Sequence, residues 1–383
     1  MTLLPATFIP SEFFPLDAMG QTEVVYVEVD GKEYTAFHRV QVRAGYKEAA
    51  RAFELSIAAE LGASATNAIF HAGAEVAVYA TRDLLMRGYV DQKLPHLGAR
   101  EATIRVVGRS KSADLIDSDA DHETGYFENK TPQEIGAELA KEYGSTFETD
   151  QLLKKVESHT ITPGNSIFRG VEILARRQGM TLTGTPEGNI KITKPNGERH
   201  AGGLIEGVNI LVINADHNWS NRHSRYSIKG QRAVGRGSRR LHLVARADDK
   251  AVKRRRHKVI VNEDDADIDG LKAKVGNRRN RSAGEALKAT ASVQGFPDEA
   301  GKIWTPGRLI WTESPFCDIA QDMLVEAVDM SQGPEGSITL LSLVDPRAFG
   351  GKGAGGGKGN KSGSEWGQGD DEATDETPAD ELE

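Results

Sequence analysis

Residues 22–40 read TEVVYVEVDGKEYTAFHRV, and their pattern decides the fold class. From Thr22 to Val29 apolar residues alternate with others at a period of two, the mark of a strand with one buried face. Asp30-Gly31 then supplies the positive φ angles that a tight primed turn needs, and KEYTAFHRV resumes strand-like content. A β-hairpin is therefore expected at the start of the folded region. FELSIAA (Phe53–Ala59), AEVAVYA (Ala74–Ala80) and ATIRVVG (Ala102–Gly108) continue the theme, so the first ~115 residues read as a small barrel or sandwich.

After this region the period changes. Thr131-Pro132-Gln133-Glu134 is a capping box with proline at the first helical position, and Ile135, Leu139 and Tyr143 form an apolar stripe that ends at Gly144. A second helix is expected from Asn165 or Ser166 through Ile167, Val171 and Leu174, stopping at Gly179. MTLTGTPEGNIKIT then reads as a hairpin turning at Pro186 to Asn189. Strand patterns return from about Leu204 in GVNILVINA, SRYSIKGQ, RRLHLVARA, WTPGRLIWT and GSITLLSLVDP, with a helix expected over Gly284–Gln294, where AGEALKATASVQG is rich in helix formers. The sequence from Gly350 onward is glycine-rich, then acidic, and is expected to be disordered.

The expected class is thus mainly β with an α+β insert. Residues 1–116 form a first β-barrel domain, 117–203 a mixed α/β middle domain, 204–349 a second β-barrel domain with a basic block, and 350–383 a disordered tail. An internal echo links the two β regions. EVAVYATRDLLMRGYVDQ followed by ATIRVVG parallels RLIWTESPFCDIAQDMLVEAVDM followed by SITLLSL. Either the two regions are related, or β proteins reuse similar strings.

Composition narrows the partners. The net charge of -8 hides an excess of 19 Lys and Arg over 7 Asp and Glu between Arg222 and Arg281, so the remainder carries -20. The single cysteine, Cys317, excludes an internal disulfide framework and a multi-thiolate zinc site. The apolar N-terminal stretch holds three prolines and no Lys or Arg before Lys32, which does not suit a signal peptide, and no run approaches the ~20 apolar residues of a spanning helix. No stable membrane association is expected.

Several motifs compete for a chemical role. In DSDADHETGYFE, Asp117, Asp119, Asp121 and Glu128 take the first, third, fifth and twelfth places of an EF-hand loop. The sixth place, where glycine is required, is His122, and the segment leading in is strand-like; solvated carboxylates at a domain junction are the better reading. Gly351, Gly353 and Gly356 fit G-x-G-x-x-G near Lys358 and Lys361, but no strand precedes them and no helix follows. His217 and His223 flank Trp219 without ligand spacing, and no hydrolase motif accompanies Cys317. The run Lys253 to Arg256, with His257 and Lys258, is able to neutralise phosphates but lacks a recognition helix and interleaved aromatics. A charged β surface paired with EDDADID is preferred there. No catalytic residue, cofactor site or metal site is assigned.

The string GRSKSADLID (Gly108–Asp117), followed in order by FENKTPQEIGAELAKEYG, IFRGVEILARRQGMTLTGTPEGNIKIT, SRYSIKGQ and GKIWTPGRLIWTESPFCDIAQDMLVEAVDMSQGPEGSITLLSLVDPRAF, resembles the Mu-like phage tail proteins that form the central baseplate hub of contractile tails. The resemblance spans about Glu23 to Phe349. It implies a non-enzymatic virion protein. In this family a homotrimeric ring, with two β-barrels per chain, makes a pseudo-sixfold torus between a hexameric tail tube and a trimeric membrane-piercing spike, an architecture shared with type VI secretion spikes. The partners so implied are the tail spike protein, the tail tube and other baseplate proteins, with DNA passing transiently through the channel during genome ejection, and with host cytoplasm as the site of assembly. Two other readings stay open: a nucleic-acid-binding protein using residues 222–281, and a cell-wall binder, because TPQEIGAELAKEYGSTF is weakly similar to peptidoglycan-binding LysM modules.

Overall fold

The computed structural model describes residues 24–58, 69–99, 101–231, 243–265 and 267–350. β1 (Val25–Val29) buries its three valines and returns at once as β2 (Lys32–Tyr34). Asp30 and Gly31 both take positive φ, 48° and 76°, as the sequence requires of a primed turn. β3 (Arg39–Gly45), β4 (Ala52–Ala58), β5 (Glu75–Ala80), β6 (Asp83–Leu97) and β7 (Ala102–Ser110) complete the first β region, paired antiparallel in the order β3-β4-β7-β6-β5-β1-β2.

A short helix, α1 (Ala113–Asp117), leads into the middle unit. There the chain runs through β8 (Tyr126–Lys130), α2 (Pro132–Leu139), β9 (Phe147–Thr149), β10 (Val156–Thr160), α3 (Ile167–Arg177), β11 (Thr181–Gly184) and β12 (Ile190–Thr193). The capping box forms in full: the Thr131 hydroxyl accepts from the Glu134 amide at 3.2 Å and the Glu134 carboxylate accepts from the Thr131 amide at 2.7 Å. Ser166 caps α3, whose buried face carries Ile167, Val171 and Leu174, and Gly179 follows at φ 73°. α2 is shorter than its apolar stripe: it stops at Leu139, because the chain must turn to bring Phe147 into β9 beside β12, where the ring seats against Gly136. These elements enclose their own apolar core, with Phe127, Ile135, Leu174 and Ile190 at its centre.

β13 (Arg199–Ile205) and β14 (Val212–His217) return to the large sheet. β15 (Arg225–Gln231), β16 (Leu243–Asp248) and β17 (His257–Asp265) instead make a separate three-stranded sheet covered by α4 (Ile268–Gly284), with a small core of Tyr226, Ile228, Ala245, Ala247, Leu271 and Val275. β18 (Leu287–Gln294), β19 (Leu309–Ser314), β20 (Ile319–Gly333) and β21 (Gly336–Val344) follow, and a 3-10 turn, Pro346–Phe349, ends the described chain.

The helix expected over Gly284–Gln294 is not there; α4 ends at Gly284 and the rest is strand β18. Ala289, Ala291 and Val293 are buried in alternation with Lys288, Thr290 and Ser292, and the strand lies between β14 and β21. Alanine's helix propensity is worth only a few tenths of a kcal/mol per residue, and pairing on both edges outweighs it. The real helix was hidden upstream, because α4 buries only Leu271 and Val275 among its large apolar positions.

The two β regions are not separate sheets. β20 pairs along one edge with β21, and along the other first with β19 and then with β3, from Ala327↔Gly45 to Gln332↔Val40. The result is one thirteen-stranded sheet over one continuous core that draws on both regions. Its path has two ends, β2 and β14, and no pairing among the described residues closes it into a barrel. The internal echo has a structural counterpart. β5, β6 and β7 form an antiparallel meander of 6, 15 and 9 residues, and β19, β20 and β21 form another of 6, 15 and 9. Each has a β-bulge where its long strand meets the last one, and each first turn holds a non-glycine residue at positive φ, Thr81 at 55° and Asp318 at 52°.

Candidate assembly surfaces

The β3–β20 seam joins the two β regions and so sets the relative position of their meanders. Cross-strand neighbours supply its polar surface. Arg43 on β3 donates to Asp329 on β20 at 2.8 Å and to Glu48 at 2.9 Å. Burial pushes the Asp329 carboxyl up, and the Arg43 guanidinium only partly counters it. The backbone continues the join through the turn after β3, where the Tyr46 amide donates to the Glu326 carbonyl at 2.7 Å.

Arg51 ties the seam to the middle unit. It is buried, donates from Nε to the Gly184 carbonyl at 3.2 Å and from Nη1 to the Leu85 carbonyl at 2.7 Å, and burial lowers its pKa to about 10, with Glu187 opposing. A cavity of about 420 Å³ opens beside it between the three regions, lined also by Tyr46, Asp150, Lys191 and Arg308. A second buried pair, His200 with Asp298 at 3.0 Å, fastens β13 to the loop after β18. Burial pushes the Asp298 carboxyl up, but the bond with His200 and the amides of Lys302 and Ala201 outweigh it and hold it below the ordinary range.

Surfaces free to meet other chains lie at the margins of the sheet. Among the described residues β14 has a partner on one side only, and Val212 at its start, with Val208 and Leu211 just before it, is exposed. On the same outer row, Val212 faces Ser292, and Ser292 faces exposed Leu340. Beyond Tyr89, β6 pairs with β7 but not with β5, so this half of the hairpin projects with Leu94 and Leu97 exposed. In the turn between β19 and β20, Phe316 is 89% exposed. Unpaired strand edges bearing apolar side chains invite pairing with another chain. Sequence reading did not single these residues out; the apolar Pro315-Phe316 in a turn was the one available signal.

The residues singled out by motif fall elsewhere. Asp117 is spent on Arg109, whose Nη2 lies 2.7 Å from it and whose pKa Asp117 and Asp91 both raise. Asp119 forms a bridge with Ser166, His122 accepts the Gly125 amide at Nδ1 (3.1 Å), and Glu128 lies exposed in β8 opposite Ser158. The chain through Asp117–Glu128 connects α1 to β8, and among the described residues no group of three or more His, Cys, Asp or Glu is placed to hold a metal. His217 bonds the Cys317 carbonyl at 2.8 Å while His223 bonds the Asn221 carbonyl, so the two histidines are not brought together; Trp219 stacks with Arg222 instead. Of the basic run, Arg256 is turned onto the Trp219 and Ser220 carbonyls and Lys253 to Arg255 are exposed. Gly351, Gly353, Gly356, Lys358 and Lys361 lie outside the described residues.

Solved structures that share this fold include a phage-tail protein and a type VI secretion component. The 43 kDa tail protein of prophage MuSo2 from Shewanella oneidensis superposes with a TM-score of 0.77, at 24% identity, over 86% of this chain and all of that one. A component of the E. coli type VI secretion system shares the fold at a TM-score of 0.52 and 10% identity, over 83% of this chain and 76% of that one. In sequence, residues 24–110 match the family described as Mu phage baseplate assembly protein GpP-like, N-terminal, and residues 112–194 match baseplate hub protein gp44-like, second domain. In sequence the chain is similar to the Mu-like baseplate hub proteins of phage tails, with the two matched domains together spanning residues 24–194. It is 23% identical to baseplate hub protein gp44 of Escherichia phage Mu over 343 residues, 86% of this chain and 89% of that protein. Thr131–Phe147, the stretch similar to LysM modules, falls inside the matched second domain.

Proposed function

We propose that three copies of this hub protein form a ring in which each chain contributes two barrel-like modules, so that six similar units face a sixfold tail tube while the whole keeps the threefold symmetry of a spike. The observation that carries this reading is the pair of 6, 15 and 9 residue meanders in one chain, held side by side by the β3–β20 pairing. A trimer of a two-module chain is the simplest closed assembly that meets both symmetries. The first module comprises residues 1–116 and the second 204–349; residues 117–203 decorate the ring. The unpaired edge at β14 and the projecting β6–β7 hairpin are the surfaces that neighbouring chains cover. The ring sits in the virion baseplate after assembly in the host cytoplasm, binds spike, tube and other baseplate proteins, catalyses nothing, and lets DNA pass during ejection without gripping it, since tight phosphate contacts would slow passage.

Mass measurement by light scattering with negative-stain imaging tests the reading. Ring-shaped particles at three times the chain mass of 41.5 kDa are expected. A monomer at every concentration, alone and with tube and spike proteins present, refutes it. Submicromolar, salt-sensitive binding to duplex DNA counts against free passage and favours the nucleic-acid reading.

A further inference from the structure

A groove of about 780 Å³ lies between α3, α4 and the 3-10 turn at the end of the described chain. Its floor is apolar, with Phe168, Met180, Leu182 and Phe349, and its walls are basic. Lys47, Arg176, Lys274, Arg278, Arg281 and Arg347 all line it, against one lining carboxylate, Glu172. That carboxylate is shared between Arg169 and Arg176. Arg347 is engaged with Asp345, Lys47 lies over the Phe349 ring at 4.1 Å and 3.7 Å from Glu326, Lys274 donates to Asn262 at 2.7 Å, and Arg281 stands 3.5 Å from Glu285. Arg278 is exposed on α4 and has no carboxylate within ion-pair distance among the described residues. Six clustered cations, four on the two helices and one each in the β3–β4 turn and the 3-10 turn, repel one another, so the groove is set up for a polyanion.

The occupant is indicated by where the chain leaves. Gly350 is itself part of the groove wall, and beyond it the sequence continues for 33 residues. Residues 370–383, DDEATDETPADELE, carry eight carboxylate side chains and no Lys or Arg. Residues 351–369 between them hold nine glycines, and a glycine-rich chain of that length has a root-mean-square reach of roughly 24 Å. Tethering on this scale gives an effective concentration of about a millimolar, so weak pairs suffice for occupancy. We propose that this groove is an acidic-peptide site and that it is filled by residues 370–383 of the same chain, which keep a strongly basic face covered until another anionic surface displaces them. The site does not depend on the trimeric ring.

Zero-length carbodiimide coupling on the full chain tests this, with peptide mapping as the readout. Carboxylates of residues 370–383 should couple to Lys47 and Lys274 at least about fivefold more than to Lys32 and Lys302, which are exposed far from the groove in sequence. The preference should vanish in about 1 M salt, where the screening length is ~3 Å, and in the full-length double variant R278Q/R281Q. Both positions are exposed, and an unchanged circular dichroism melt shows that the variant folds. Even coupling across all lysines overturns the proposal, as does a preference that the double variant retains. Mixing isotope-labelled and unlabelled chains supplies a further arm: coupling found only between differently labelled chains overturns the same-chain assignment. If a short DNA duplex shields Lys47 and Lys274 at physiological salt while the tail carboxylates never couple to them, the groove is a nucleic-acid site and the proposal falls.

Discussion

Replacing Gly108 by alanine should unfold the first β region far more readily than its one-methyl size implies. Gly108 sits in β7 between β4 and β6, opposite Phe53 and Val90. A Cβ there would meet the Tyr89 carbonyl oxygen and the Phe53 ring, both well inside the 3.0 Å that real Cβ atoms keep. The first obstacle is backbone and the second is a fully buried ring, so neither gives way cheaply. Relief requires β6 and β7 to part by about 1 Å, which forfeits about two ladder hydrogen bonds at ~1 kcal/mol each and adds about 1–3 kcal/mol of overpacking. Lower chain entropy in the unfolded state returns about 0.5–1 kcal/mol, leaving a net loss of roughly 2–4 kcal/mol. The control is Gly73→Ala, at φ 86° with nothing within 4 Å of the new methyl, which carries only the left-handed backbone penalty of about 1 kcal/mol. Urea denaturation of the full-length protein, followed by hydrogen exchange on the strands β4, β6 and β7, separates the two. If Gly108→Ala costs under about 1 kcal/mol, or no more than Gly73→Ala, the close-approach reasoning is wrong.

Asp298 gives a pH dependence with a definite sign. Its carboxyl titrates below the ordinary value in the folded state, so the unfolded chain binds the proton first on acidification. Stability from this group is complete above pH ~4 and is lost as the pH falls through the folded-state value; Asp298→Asn should flatten that acid limb, and equal acid limbs for both proteins would disprove it. Thr131→Ala should cost about 1 kcal/mol and speed amide exchange in α2 while leaving α3 unaffected, because the reciprocal bonds with Glu134 cap that helix alone.

Much of the fold was legible from short-range chemistry. Asp30-Gly31 permits only a few turns, Thr131-Pro132-Gln133-Glu134 specifies a helix start, and Ser166 with Gly179 brackets α3; each depends on residues within a few positions of one another. In the EF-hand-like stretch the departure from a calcium loop is local too, since His122 stands where such a loop needs glycine. α4 and β18 were not legible, because a polar helix with two large buried residues and an alanine-rich strand carry local propensities that oppose their final states.

What the sequence determined alone was the class: alternating β segments around a capped α/β unit, with two similar β strings far apart in the chain. What only the tertiary structure decided was how those strings meet. The pairing of β3 with β20 joins residues nearly 300 positions apart, and its Arg43–Asp329 contact has no signature in either segment. The same holds for the basic groove, whose cations come from the β3–β4 turn, α3, α4 and the final 3-10 turn. Local pattern records which face of a strand is buried, but not which edge it shares, because every strand edge offers the same backbone donors and acceptors.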